Sequence, residues 1–385
     1  MRILIVYPSL SHPIDSGNRQ WLMSQVESFR KLGHEVFMVC VNIPGLRVGK
    51  NLNKKEVNLT RAYWGEHGFI FNGNFIEKYR QSFIMNYRNR ACSGYFKCDD
   101  IYPERLTAFI KKLHEKYKFD ACIVNYYWLT KIFDKIDFKK TAVNTHDVFA
   151  FRDLAVKTRN PWMCTTADEE AKGLQRAQYV FALQDEESHY FSRIAPTSKV
   201  DIVYCPFKIY ETPPVNNHNL IILSSGNHYN LEGFQWFCEK VYPGIIEAFP
   251  DVNLVVGGSI CSKLQYYKNK DHYQLLGPVD NPYDLYKYGD VSINPCLNGT
   301  GLKIKTFESL AYGKIAMTHP HSTIGIYKKS KAPVFASSEP REWVKFLMNI
   351  WNEKGCMVEW KKKSIEYVRD MNQYILETYQ QFLEE

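Results

Sequence analysis

The sequence predicts an α/β protein with two parallel sheets, each in its own domain. Short β-rich runs alternate with helical patterns from residue 3 onwards, which favours parallel strands joined by right-handed crossovers. At 385 residues the chain is longer than one hydrophobic core usually supports. A polar stretch with two adjacent prolines interrupts the alternation at 207–219 and is typical of a linker. We therefore expect one domain before this stretch and one after it.

The first predicted domain covers residues 1–207. Its opening run, 3–7, is a strand, and the helix over 19–32 carries Leu22, Val26 and Phe29 on one face before Gly33 ends it. Between about 46 and 103 the alternation breaks down, and two expectations remain for this stretch: an irregular elaboration of the domain, or helices whose pattern is not evident. The further predicted strands are 36–41, 121–126, 142–145, 179–183 and 201–205.

The second predicted domain covers residues 219–365 and repeats the alternation. Its predicted strands are 220–224, 253–256, 274–276, 291–294 and 315–318, and its predicted helices include 231–247, 283–288 and 302–312. The last fifty residues are mainly helical in pattern. We expect the final helix, 366–385, to pack back on the first domain.

Composition narrows the function classes. Ten cysteines are scattered without a Cys-x-x-Cys pair, so neither a zinc site nor a disulfide framework is predicted. The opening apolar run is too short for a signal peptide and no run is long enough to span a bilayer, which predicts a cytoplasmic protein. The net charge of +8 suits nucleotide phosphates, peripheral contact with the inner face of a membrane, or simply a basic surface. No recognised module accompanies this charge, so nucleic-acid binding is not favoured.

The most informative segment is 294–314, in which a strand runs into a glycine-containing loop that opens a helix. Gly299 and Gly301 allow the backbone to come close to a ligand, and the free N–H groups of a helix start suit a phosphate. Lys305 and Glu308 are three residues apart and so share one face of the helix. A cation for a diphosphate beside a carboxylate for ribose hydroxyls predicts a nucleotide site. A solvated helix face is the alternative.

This segment resembles the donor-binding region of the retaining glycosyltransferases of family four, the group 1 glycosyl transferases. The resemblance implies the GT-B fold, two Rossmann-like domains that face each other across a cleft. Glu308 matches the family's second signature glutamate, which holds the ribose, whereas Thr300 stands where the first glutamate would be. Some branches of the family share the Gly-Thr-Gly-Leu-Lys form of residues 299–303. Because of this difference at Thr300, the resemblance does not identify the donor sugar.

Other positions follow from the same resemblance. Residues 276–279 resemble the family's Gly-x-Val segment, whose backbone meets the base, and 225–227 occupy the place of its Gly-Arg turn. The arginine and lysine expected just after that turn are missing, and His228 and Asn230 stand there instead. The predicted donor-binding residues are Gly17, Gly226, Asn227, Val279, Gly299, Thr300, Gly301, Leu302, Lys305 and Glu308.

Two places in the first domain also match. Gly17 ends the loop after the first strand, where the family has a glycine-rich loop, and Gly-His-Glu-Val follows at 33–36. His146 and Asp147 come just after the strand 142–145, at the carboxyl end where ligands bind in such sheets. In the family this histidine reaches the donor sugar. A loop in which Asp147 caps the next helix is the alternative.

The resemblance implies an enzyme that moves a sugar from a nucleotide-sugar to a glycan or lipid-linked acceptor, with retention of anomeric configuration and in surface polysaccharide or glycoconjugate synthesis. His146, Asp147 and Lys305 are the predicted catalytic residues, and no metal or other cofactor is expected. Two alternatives remain: a sugar-nucleotide 2-epimerase of the same fold, and a non-catalytic protein that binds sugar nucleotides. A NAD-dependent enzyme is disfavoured, because no Gly-x-Gly-x-x-Gly follows the first strand.

Overall fold

The computed structural model describes residues 1–14, 16–43, 53–92, 94–156, 163–299, 301–353 and 355–385. These residues form two compact units. The first unit comprises 1–206 together with 374–385, and the second comprises 207–373.

The first unit is built on a parallel sheet of seven strands in the order β3-β2-β1-β4-β5-β6-β7. β1 lies between β2 and β4, and its residues 3–6 are fully buried. Strands buried on both faces are continuous apolar runs, which is how 3–7 and 36–41 read in the sequence. The strands are β1 (Arg2–Tyr7), β2 (Glu35–Asn42), β3 (Gly68–Asn72), β4 (Ala121–Asn125), β5 (Lys140–Asn144), β6 (Tyr179–Ala182) and β7 (Lys199–Ile202).

Helices connect these strands, and several begin at side-chain caps. Asn53 accepts a hydrogen bond from the backbone N–H of Lys55, and Asn74 forms a reciprocal capping box with Glu77. The α-helices are α1 (Gly17–Lys31), α2 (Lys54–Trp64), α3 (Phe75–Ala91), α4 (Glu104–Tyr117), α5 (Arg152–Val156), α6 (Ala167–Leu174) and α7 (Asp185–Ile194).

Of the two expectations for 46–103, the described residues agree with helices and not with an irregular elaboration. This stretch contains α2, the edge strand β3 and α3. β3 pairs in parallel with β2 through residues 68–72 and extends the sheet by one strand. The pattern was missed because the exposed side of α3 is rich in aromatic residues, so its hydrophobic period does not mark a buried face.

The second unit holds a six-stranded parallel sheet in the order β10-β9-β8-β11-β12-β13. Both sheets are therefore parallel, as predicted. The strands are β8 (Asn219–Leu223), β9 (Asn253–Gly257), β10 (Tyr273–Gly277), β11 (Val291–Asn294), β12 (Ile315–Thr318) and β13 (Val334–Ala336). The helices are α8 (His228–Trp236), α9 (Tyr242–Ala248), α10 (Tyr283–Tyr286), α11 (Ile304–Ala311), α12 (Pro340–Asn352) and α13 (Cys356–Glu384). Among the helices that the structure describes, none has the length and hydropathy to cross a bilayer.

The stretch predicted as a linker belongs to the second unit. The N–H of Tyr210 donates to the carbonyl of Ala311 (2.9 Å), and the Thr212 hydroxyl donates to the carbonyl of Tyr312 (2.9 Å). The buried Asp290 carboxylate accepts the N–H groups of Val215 and Asn216. These bonds fix a segment that has no helix or strand of its own, which is why its sequence resembles a free linker.

The last residues of α13, from 374, belong to the first unit. The Tyr379 ring lies 4.5 Å from that of Phe29, and its hydroxyl accepts a hydrogen bond from Gln25 (3.0 Å). At the end of the helix, Glu385 accepts from Tyr179 (2.7 Å) and pairs with Lys199 (2.6 Å). This part of the helix completes the core of the first unit.

Two buried carboxyl groups make the stability of the first unit depend on pH. Burial raises the pKa of Glu170 to about 7 and that of Glu187 to about 8. The folded chain then binds more protons than the unfolded chain between the ordinary carboxyl pKa of 4.5 and these raised values. The contribution of these two carboxyl groups to the stability of the folded chain is therefore complete below pH 4.5, and it is lost as the pH rises through their raised pKa values.

Replacing Glu187 with glutamine mimics the protonated carboxyl, so we expect the variant to melt at the same temperature as wild type at pH 5 and several degrees higher at pH 8. Differential scanning calorimetry at both values tests this. A difference in melting temperature that stays the same at both pH values would contradict it.

Candidate functional site

Two basic side chains, Lys303 and His321, bind the backbone carbonyls of the loop between β11 and α11. Gly299 and Gly301 have φ values of 106° and 76°, a region that favours glycine. The Lys303 ammonium donates to the carbonyls of both glycines, at 3.1 and 3.2 Å. His321 Nε2 also lies 2.9 Å from the Gly299 carbonyl oxygen and donates to it in the tautomer protonated there. Predicted residue Thr300 lies outside the described residues.

Lys305 projects from the start of α11 towards the carboxyl end of β8. Its ammonium donates to the carbonyl of Leu223 at 2.6 Å. Burial lowers the pKa of Lys305 to about 8, and the nearby Glu308 carboxylate partly opposes this shift. Burying a lysine ammonium costs free energy, and a bound anion would offset this cost better than one carbonyl does. Lys305 is therefore well placed to bind an anion.

Glu308 lies one turn further along α11 and is partly exposed. Burial raises the pKa of Glu308, while Lys305 and a hydrogen bond from the Tyr286 hydroxyl act in the opposite direction. The two predicted partners therefore share one face of the helix, as their spacing predicts. A concave surface beside them is lined by Ser224, Asn230, Asn294 and Pro295.

The turn after β8 brings Gly226 and Asn227 to the same sheet edge as Lys305. The Gly226 N–H donates to Ser259 Oγ (3.2 Å), and Asn227 caps α8 by accepting from the N–H of Asn230 (2.9 Å). A Cβ added at Gly226 would meet the Lys263 side chain at 3.5 Å. The stem of exposed Lys263 thus lies beside the turn from which the expected arginine and lysine are missing.

Val279 and Leu302 complete the predicted set in this unit. Val279 is half-buried just after β10 and packs on a small core cluster that includes Tyr286. A Cβ at Gly257 would approach its Cγ2 to 2.8 Å, so this glycine is required for Val279 to sit there. The half-buried Leu302 precedes α11, and its carbonyl accepts the N–H of Ile304 (3.0 Å).

In the first unit, His146 follows β5 in a left-handed conformation with φ of 65°. Its ring stacks on Tyr126 at 4.3 Å and meets the edge of Trp21 at 5.0 Å. Burial lowers the pKa of His146 to about 3, so the ring is neutral at neutral pH.

A buried amide network fixes the tautomer of this ring. Asn125 donates to the carbonyl of Val6 (3.1 Å), which orients its amide so that Oδ1 faces His146 Nε2 at 2.8 Å. Since an amide oxygen only accepts, Nε2 carries the proton and Nδ1 is left as an acceptor. Asn144 donates to the same Oδ1 (3.2 Å) and exchanges hydrogen bonds with Gln25.

The other two predicted residues of this unit, Gly17 and Asp147, have different surroundings. Gly17 is the first residue of α1, and the next residue, Asn18, donates to the hydroxyl of Tyr126 (2.9 Å), which stacks on His146. The Asp147 carboxylate pairs with Arg152 at 2.9 Å, and α5 begins only at that arginine. Asp147 therefore orients the loop after His146 rather than capping the helix.

The sequence reasoning overlooked several residues that shape the two sites. Asn125 and Gln25 lie far from His146 in the chain, and only the pairing of neighbouring strands brings them together. Asn144 lies inside the predicted strand 142–145 and could have been singled out as a polar residue at the end of a buried strand. The overlooked residues are Gln25, Asn125, Asn144, Lys263, Tyr286 and His321.

The second unit matches a known protein family. Residues 219–352 match the family model described as glycosyl transferases group 1. A 105-residue segment is 29% identical to an uncharacterized 44.6 kDa protein in the cps region of Klebsiella pneumoniae, covering 24% of this chain. The match spans only 27% of that relative's length. The family resemblance drawn from residues 294–314 is confirmed.

Solved structures agree with the whole chain in fold. The sucrose-phosphate synthase of Thermosynechococcus elongatus has a TM-score of 0.66 at 12% identity, covering 99% of this chain and 98% of that one. HepE of Anabaena in complex with UDP has a TM-score of 0.65 at 12% sequence identity, and the match covers 99% of this chain and 100% of HepE. The pneumococcal O-GlcNAc transferase GtfA in complex with UDP and GlcNAc has a TM-score of 0.62 at 11% sequence identity, and the match covers 100% of this chain and 98% of GtfA. These likenesses show that the chain has the GT-B glycosyltransferase fold.

Proposed function

We propose that this chain, whose second unit belongs to the group 1 glycosyl transferases, moves a sugar from a nucleotide-sugar donor to a glycan or lipid-linked acceptor. The observation that carries the proposal is the Lys305 and Glu308 pair on α11, beside the glycine loop and the end of β8. Proteins with one fold can carry out many different reactions, so the residues of this site, and not the fold, indicate the function.

The second unit binds the donor in this proposal. Lys305 leaves the Leu223 carbonyl to meet the diphosphate, and the backbone of Gly299 and Gly301 lies close to it. The Glu308 carboxylate accepts hydrogen bonds from the ribose hydroxyls, and Val279 marks the place of the base. HepE and GtfA, which share the fold, were solved with UDP, which supports a nucleoside diphosphate at this place.

Transfer breaks the bond between the anomeric carbon and the diphosphate, so negative charge develops on the leaving oxygen. In this proposal Lys305, with Lys263 further out, stabilises that charge, and no metal ion is required of the site. The neutral His146 accepts a hydrogen bond from a donor-sugar hydroxyl at Nδ1, the nitrogen that the network leaves without a proton. We further propose that transfer retains the anomeric configuration, as the family resemblance implies, and that the product is a surface polysaccharide or glycoconjugate.

A thermal-shift and hydrolysis screen against UDP-, GDP-, ADP- and dTDP-sugars tests the donor site. We expect one nucleotide class to raise the melting temperature and Glu308→Gln to weaken its binding by about 10–100-fold, because charge-assisted hydrogen bonds to ribose are lost. Glu247→Gln, an exposed carboxylate of α9, is the matched control and should bind like wild type.

The other outcomes separate the alternatives. Binding without hydrolysis or transfer to any acceptor would favour a non-catalytic sugar-nucleotide protein. Conversion of the donor to its 2-epimer without an acceptor would favour an epimerase. If no sugar nucleotide shifts the melting temperature, the donor site is refuted.

A further inference from the structure

The outward side of α3 is mostly apolar, with exposed Asn86 among its aromatic residues, which is unusual for an exposed helix. Five large side chains on it are mostly exposed, and at about 100° per residue they fall within an arc of about 120°. We call them the α3 apolar face: Phe75 (82% exposed), Ile76 (74%), Tyr79 (68%), Phe83 (63%) and Tyr87 (52%). A contiguous patch of this kind marks an interaction surface, whereas single exposed apolar residues do not.

The opposite side of α3 is held in place by polar contacts. The buried Glu77 closes the capping box with Asn74 and accepts the N–H of Arg105 at 2.9 Å. One turn on, the buried Gln81 donates to the carbonyl of Ile101 at 3.0 Å. The helix is therefore anchored through its polar side, and its apolar face is directed outwards by specific bonds.

Cations flank the apolar face. Arg80 lies on one side of it, Lys78 on the other, and exposed Arg90 at its far end. Glu77 is the only acidic residue among 75–91 and is buried, so the outward side carries positive charge alone. By contrast, Arg88 is neutralised by Asp100 at 2.6 Å.

A cavity at the start of the same helix adds two further cations. It has a volume of about 370 Å³, and its walls include Phe71 of β3 and Phe109 of α4. Arg105 and Lys112, both exposed on α4, line it as well. The lining also includes the Glu77 carboxylate, so the two exposed basic side chains of α4, and not the cavity interior, would meet an anionic headgroup.

We infer that the α3 apolar face is a docking surface for an anionic lipid bilayer. A helix with aromatic and aliphatic residues on one side and basic residues beside them lies in the plane of the interface, with its apolar side among the acyl chains. Basic side chains then reach the anionic headgroups. A second copy of this chain fits less well, because its cations would meet cations of the same sign. The inference stands on this helix and does not depend on the donor site.

Vesicle co-sedimentation of the full chain tests the inference. We expect binding to vesicles of equal parts phosphatidylcholine and phosphatidylglycerol to exceed binding to phosphatidylcholine alone by about tenfold or more, and to weaken with added salt. Phe75→Ser combined with Phe83→Ser should lower the binding by about tenfold or more. Tyr266→Ser, a 73% exposed aromatic of the second unit, is the matched control and should bind like wild type.

Three results would overturn the inference: no binding of wild type to the anionic vesicles, equal binding by the double variant, or a dimer in light scattering that the double variant abolishes. All the changed side chains are exposed, so each variant should keep its wild-type melting temperature. Stabilisation by a sugar nucleotide is measured on the same samples. Failure of the donor-site proposal would abolish that stabilisation in every variant and leave the vesicle result unchanged.

Discussion

Replacing Lys305 with methionine is expected to lower kcat/KM for the donor by about 100–1000-fold, the usual cost of removing one preorganised group that stabilises charge in the transition state. Methionine keeps most of the side chain's volume and removes only the ammonium that now donates to Leu223. Because that ammonium is desolvated, its removal should not lower the melting temperature. Steady-state kinetics beside calorimetry would thus separate lost chemistry from lost structure.

The pH dependence follows from the same group. With a pKa of about 8, Lys305 is charged below that pH and loses its proton above it, so donor affinity should be constant up to about pH 8 and weaken at higher pH. Lys263→Met is the matched comparison: Lys263 is exposed, so its loss should cost less than about tenfold and leave the pH profile unchanged. Activity of Lys305→Met within about threefold of wild type would refute the phosphate role.

Replacing His146 with alanine is expected to lower kcat/KM by about 10–100-fold, the cost of one lost hydrogen bond to a sugar hydroxyl in a buried setting. The hydrogen bond to Asn125 and the stacking on Tyr126 hold the ring as a neutral acceptor. Asn125→Asp places a carboxylate 2.8 Å from Nε2 and should raise the pKa of the ring.

Nuclear magnetic resonance of the histidine ring nitrogens provides a readout that a purely structural role would not give. In wild type, the His146 signals should show the Nε2-protonated tautomer and no titration between pH 5 and 8. In Asn125→Asp the midpoint should move upwards. Observation of a wild-type midpoint near 6.5 would show that the ring is solvated and that the network does not fix its tautomer. Full activity of His146→Ala would exclude the sugar contact.

The resemblance to the family and the outline of both sheets were open to sequence reasoning because buried parallel strands are continuous apolar runs. The strand around 3–7 shows this. The strand 291–294 was also placed at its observed bounds, although Ser292 and Asn294 make it only partly apolar. The spacing of Lys305 and Glu308 likewise predicted a shared helix face, since that geometry is local to one turn.

The region around α3 could not be predicted in the same way. Its outward face is apolar and its inward face includes Glu77 and Gln81, so the usual rule that apolar residues face the core assigns the wrong side. Only the contacts of Glu77 with Arg105 and of Gln81 with Ile101 show which side is buried.

By itself, then, the sequence determined the α/β class, the resemblance to the group 1 glycosyl transferases and the pairing of a lysine with a glutamate on one helix, all of which depend on local spacing. The tertiary structure decided that Lys305 reaches the end of β8, that Lys263 stands beside Gly226, and that Asn125 sets the tautomer of His146. It also decided which side of α3 is exposed. These contacts join residues that are distant in the chain. Their proximity and burial, which shift the pKa values, arise only when the strands pair and the helices pack.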